Sequence, residues 1–160
     1  MSKQKIFLKM NNYALPIRFG VAASGCLIAY FLILSLLGLH TNVFYSLFNT
    51  IITGFAIFEA IKYFKLKKGG SFTYATGFMA GLITGGVATL IFTIFFAIYS
   101  TELQPGFLEE LSTRWANTYR SFEAIVFLVV ATMGFTTSLV LTLSFMQLFK
   151  SSNTTKNKRN

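Results

Sequence analysis

Long apolar runs alternate with short polar segments along the whole chain. A helix needs about 20 apolar residues to cross the hydrocarbon of a bilayer. Four runs meet that length, at about 17–39, 43–63, 74–99 and 122–149. The pattern therefore predicts an all-α, integral membrane four-helix bundle forming a single domain over residues 1–160.

The polar segments add an orientation. Residues 1–18, 62–73 and 150–160 carry four Lys or Arg residues each, so that of the 14 basic residues only Arg114 and Arg120 lie elsewhere. Basic residues flanking a span are retained on the cytoplasmic side. Both ends, and the segment between the second and third spans, are thus expected in the cytoplasm. The short turn His40-Thr41-Asn42 and the longer segment 100–121 are expected outside.

Local signals refine each element. Residues 1–12 suit either a short amphipathic segment on the inner surface or a disordered lead. Pro16 suits a first helical turn, where its missing N–H has no partner to lose. The apolar run after it is too long for a signal-peptide core and lacks a small-x-small cleavage pattern, which predicts an uncleaved span. Thr41 or Asn42 can cap the second span. Gly69-Gly70 is a helix breaker and predicts the inner turn. Beyond Pro105-Gly106, Leu108, Leu111, Trp115 and Tyr119 recur at helical spacing and predict an amphipathic outer segment over 105–121, with Trp115 and Tyr119 at headgroup level. The polar, basic stretch 150–160 is predicted to be disordered.

Composition agrees. The chain is 54% hydrophobic and 12% charged, with a mean hydropathy of +0.60; a soluble domain would carry roughly 25% charged residues. The net charge of +9 flanks spans rather than forming one patch, so it reads as attraction to anionic lipid and not to nucleic acid. The one cysteine, Cys26, lies inside the first span and reads as a small packing residue.

The inventory of reactive groups is thin. There is no Asp, one His and one Cys, and the acids are Glu59, Glu102, Glu109, Glu110 and Glu123. A catalytic metal site normally takes three ligands from His, Cys, Asp or Glu, and no phosphate-binding or dinucleotide motif is present. The sequence thus predicts no enzyme, no metal and no cofactor. Glu59 is the acid within a span. Intramembrane carboxylates can serve as ion sites, but Lys62 lies one turn away and Arg18 is expected at a similar depth on the first span, so a local charge site of Glu59, Arg18 and Lys62 is the simpler reading.

Small residues recur every fourth position. Gly77, Gly81 and Gly85 do so in the third span, and Gly134, Ser138 and Thr142 in the fourth. Gly20 and Ser24 repeat this in the first span, and Ser46, Thr50 and Gly54 in the second. Such stripes let helix backbones approach closely. They predict either packing within the monomer or homo-oligomerisation through the third span.

The stretch Lys67-Lys68-Gly69-Gly70-Ser71-Phe72-Thr73-Tyr74, the Gly-rich third span, Tyr99, the segment Pro105-Gly106-Phe107-Leu108-Glu109-Glu110-Leu111 and a last span with a basic tail resemble the bacterial membrane family termed domain of unknown function 4199. The resemblance implies a small four-span protein of the bacterial cytoplasmic membrane and supplies no catalytic or binding residue. The functional expectation is a non-enzymatic accessory or interaction protein, with the bilayer and a second copy or another membrane protein as partners. The alternative is a small oligomeric transporter or channel using Glu59 and the glycine face.

Overall fold

The computed structural model describes residues 3–39, 43–103, 106, 108 and 122–149. They form four long helices: α1 (Lys3–Leu36), α2 (Val43–Lys68), α3 (Tyr74–Ile98) and α4 (Phe122–Phe149). All four are long and apolar enough to cross a membrane, and no strand occurs among the described residues. The outer turn His40-Thr41-Asn42, the tail 150–160 and, apart from Gly106 and Leu108, the segment 105–121 with Glu109, Glu110, Trp115 and Tyr119 lie outside the described residues.

Two bounds differ from expectation. Helix α1 starts at Lys3 and runs through Pro16, so Pro16 is not in a first turn, and residues 3–12 belong to the same helix, ahead of its apolar stretch Tyr13–Leu36. Proline has no N–H to offer the carbonyl of Asn12 one turn earlier, so what holds the helix at Pro16 is its packing against α3. Here Thr84 of α3 donates from Oγ1 to the Pro16 carbonyl at 3.1 Å, and Pro16 itself is fully buried. Helix α2 continues to Lys68, which places Lys62 and Lys65 on its last turns.

The α2–α3 connection follows from its residues. Gly69 adopts φ +52°, a left-handed conformation that costs a residue without Cβ least, and a single tight turn, Gly69–Ser71, follows. Thr73 then caps α3. Its side chain accepts from the Thr76 N–H, and the Thr76 side chain accepts from the Thr73 N–H. At its other end α3 widens into a π-type turn over Tyr99–Leu103.

Helix α3 is the hub. It packs against α1, α2 and α4, while α2 also packs on α1 and α4, leaving α1 and α4 on opposite sides of the α2–α3 pair. Three apolar clusters run along the bundle. Phe31, Phe96, Tyr99 and Leu108 close one end, Ala23, Leu27 and Ala88 fill the middle, and Ile57, Ile61 and Met146 close the other. At the first end, Phe31 meets Tyr99 edge to face at 5.0 Å, and the Tyr99 and Ser35 hydroxyls are hydrogen-bonded. Some buried hydroxyls bond back one turn, as Ser138 does to the Gly134 carbonyl at 2.8 Å and Ser100 to that of Phe96 at 2.8 Å, whereas those of Thr93 and Thr142 have no partner. In an apolar medium bonding back satisfies the hydroxyl without help from another helix. Cys26 is exposed, on the lipid-facing side of α1 rather than in the packing.

Candidate functional site

The basic side chains among the described residues, Arg18, Lys62, Lys65, Lys67 and Lys68, lie toward one end of the bundle. Tyr13 stacks on Phe64 and Phe19 on Tyr63, which sets the start of the apolar part of α1 beside the end of α2. The end of α4 joins them, because Lys65 donates from Nζ to the Phe149 carbonyl at 3.3 Å. The same ammonium lies 5.7 Å from the Phe72 ring and 5.5 Å from the Phe149 ring. An ammonium over aromatic faces keeps its charge near water while its stem lies on apolar surface.

Glu59 sits inside this end. Its carboxylate is 3.1 Å from the Lys62 ammonium, with the Glu59 side chain 16% exposed and that of Lys62 46% exposed. Arg18 is exposed, and among the described residues the ion pair of Glu59 is with Lys62. The structure thus unites two of the three candidate charges and leaves Arg18 apart. Glu123, in the first turn of α4, is exposed at the opposite end.

The small-residue stripes form a seam between α3 and α4. A Cβ built on Gly81 would lie 2.5 Å from Thr142 Cγ2, and one on Gly77 2.9 Å from Met146 Sδ. At Gly85 it would overlap Ser138, and at Gly134 it would lie 2.5 Å from Thr89 Cγ2. Ordinary contacts of a Cβ are 3.4 Å or longer, so each glycine here allows an approach that alanine would block. Gly77, Gly81, Gly85, Gly134 and Ser138 therefore pack within one chain. Gly20 of α1 is equally close to α3, with a built Cβ 2.7 Å from the Thr84 carbonyl oxygen. Gly54 is different: its nearest neighbour, Leu141, stands at 3.6 Å.

A cavity of about 190 Å³ lies above this seam, between α2, α3 and α4. Its polar lining is Asn49, Thr50, Thr53, Thr89 and Thr137, and no charged side chain contributes. Leu27 of α1, Phe92 and Met133 supply apolar walls. Thr53 and Thr89 are buried, whereas Thr50 and Met133 are exposed, so the cavity opens sideways between α2 and α4. The Asn49 Oδ1 atom is buried and has no hydrogen-bond partner in the protein. Asn49 was not singled out from the sequence, although an amide inside an apolar span is a readable signal: its polar atoms must find partners where there is no water. Which threonines would join it was not readable, because that depends on how three helices are rotated.

Among the described residues no three His, Cys, Asp or Glu side chains come together as a metal site would require. What the arrangement offers is a close-packed helical frame, a charged and aromatic end, and one neutral polar cavity. These features define a multi-pass helical membrane protein. The family model described as "Protein of unknown function (DUF4199)" matches residues 18–124, and the chain belongs to that family. No curated protein and no solved structure matches it.

Proposed function

We propose that the chain is a multi-pass protein of the bacterial cytoplasmic membrane, with both ends in the cytoplasm, that performs no covalent chemistry and serves as an accessory or interaction protein. The observation that supports this reading is the uneven cover of the four spans. In α1, α2 and α3 the buried share of the apolar stretch is 33%, 39% and 33%; in α4 it is 6%. A span that the chain itself leaves bare on most sides is available to a neighbouring membrane protein.

The transporter alternative has less support. The glycine face it would use is filled by Ser138 and Thr142 of the same chain, and Glu59 is already paired with Lys62 within the last three turns of α2. A carboxylate that couples transport must instead face a cavity.

Native mass spectrometry of the protein released gently from its own membranes tests the proposal. A second protein in fixed stoichiometry is the expected result; a bare monomer or a homo-oligomer would sink it. Sidedness has a separate test. A reporter fused after Lys68 should read as cytoplasmic and one inserted near Gln104 as external, and the reverse would overturn the charge argument.

A further inference from the structure

We propose that Arg18 of α1 holds the phosphodiester of one anionic phospholipid whose acyl chain lies along the outer face of that helix. This goes beyond the accessory reading and does not depend on it. It also goes beyond a general attraction of the basic segments to anionic lipid, because it assigns one residue to one lipid.

The first observation is an uncompensated charge. Arg18 is the sixth residue of the apolar stretch Tyr13–Leu36 and is exposed. Its neighbours on α1 fix which way it faces. Pro16 is buried with its carbonyl bonded to Thr84, and Gly20 lies against Thr84 and Val87. At 3.6 residues per turn, position 18 is turned away from both, toward lipid. Among the described residues Arg18 has no ion pair, because the acid at this end, Glu59, is bonded to Lys62. A charge within a span is costly and must find a counter-charge or the interface.

The second is direction. Arg18 lies about 8 Å along the helix from Tyr13, at 1.5 Å per residue. Helical side chains lean toward the N-terminus of their helix, which for α1 is the basic end. The stem thus rests on apolar surface while the guanidinium rises to the headgroups.

The third is fit. The planar fork of a guanidinium bonds two oxygens of a phosphate at once. A headgroup with its own ammonium would set a second cation beside Arg18, and Glu59 is already engaged by Lys62. An anionic headgroup needs no such acid. Farther along the same face Ala22, Gly25 and Ala29 are exposed, and a Cβ built on Gly25 would meet nothing within 4 Å. An acyl chain running from the phosphate toward the membrane centre therefore has an open course.

The test uses the full chain in a neutral detergent, offered phosphatidylglycerol or phosphatidylcholine with the same acyl chains and read by native mass spectrometry. One phosphatidylglycerol is expected to stay bound under conditions that shed phosphatidylcholine. Arg18→Gln should lower that retention by about tenfold or more, the usual loss with a charge-assisted hydrogen bond. Arg18→Lys keeps the charge without the fork and should fall between the two; it also serves should Arg18→Gln fail to fold. Lys67→Gln, which removes another exposed cation at this end, should change little, because a neutral micelle presents no anionic surface. Equal losses at Arg18 and Lys67 would mean diffuse attraction and overturn the inference. Equal retention of the two lipids would do the same, leaving Arg18 to the carboxylate of a partner protein. So would displacement of the lipid by excess inorganic phosphate, which would make this a site for the free ion.

Discussion

Helices α3 and α4 are both apolar enough to span a membrane, yet they live in different surroundings. Helix α3 touches all three other spans and buries Gly77, Gly81, Gly85 and Ala88. Helix α4 is covered along one line, Ser138, Thr142 and Met146, while Leu128, Met133 and Leu148 stand exposed. In water such a difference would track hydrophobicity. In lipid it does not, because an apolar side chain gains little by leaving hydrocarbon for a protein interior. What differs is side-chain size. The contact line is written in Gly, Ser and Thr, which allow dispersion contact between backbones.

This contrast can be broken deliberately. The largest effect is expected from Gly85→Leu, which drives a branched side chain into Ser138. Overpacking of this kind costs about 1–3 kcal/mol, and the variant should unfold well before the wild type in a mixed-detergent titration. Should it unfold like the wild type, the seam is not where α3 and α4 meet. Next is Thr73→Ala, which removes the capping box of α3 and should cost about 1 kcal/mol in the same titration; Thr73→Ser should restore most of it. A smaller loss, about 0.6 kcal/mol, is expected from Tyr99→Phe, the usual size for a hydrogen bond between membrane helices. This change deletes the bond to Ser35 and leaves the ring against Phe31. Smallest of all is Leu128→Ala on the bare face of α4, where Leu128 is 67% exposed: a change within about 0.5 kcal/mol. A large loss at Leu128 would mean that this face is covered in the membrane, and would support a protein partner.

The same contrast accounts for what could be read in advance. The four spans were legible because hydrocarbon imposes a length of about 20 residues on any crossing helix, and the Gly69-Gly70 break was legible because few other residues take up φ +52°. The stripes at Gly77, Gly81, Gly85, Gly134 and Ser138 were legible as contact lines, but not as to which helix fills them. Glu59 and Lys62 could be paired from helical spacing alone. Arg18 could not be excluded from that pair, because matching depth on two helices says nothing of which way each helix is turned. The passage of α1 through Pro16 was hidden for a related reason: the contact that holds Pro16 against α3, from the Thr84 hydroxyl, comes from 68 positions along the chain.

By itself the sequence determined the number of spans, their approximate limits and which residues are small enough to lie at a helix contact. These are consequences of the bilayer as a solvent and of side-chain volume, and both act residue by residue. Only the tertiary structure decided that the glycine face of α3 closes on α4 of the same chain, that Cys26 faces outward, and that Asn49 shares a cavity with Thr89 and Thr137. Those depend on the rotation of each helix about its axis, which is set by the fit of whole surfaces and leaves no mark at a single position.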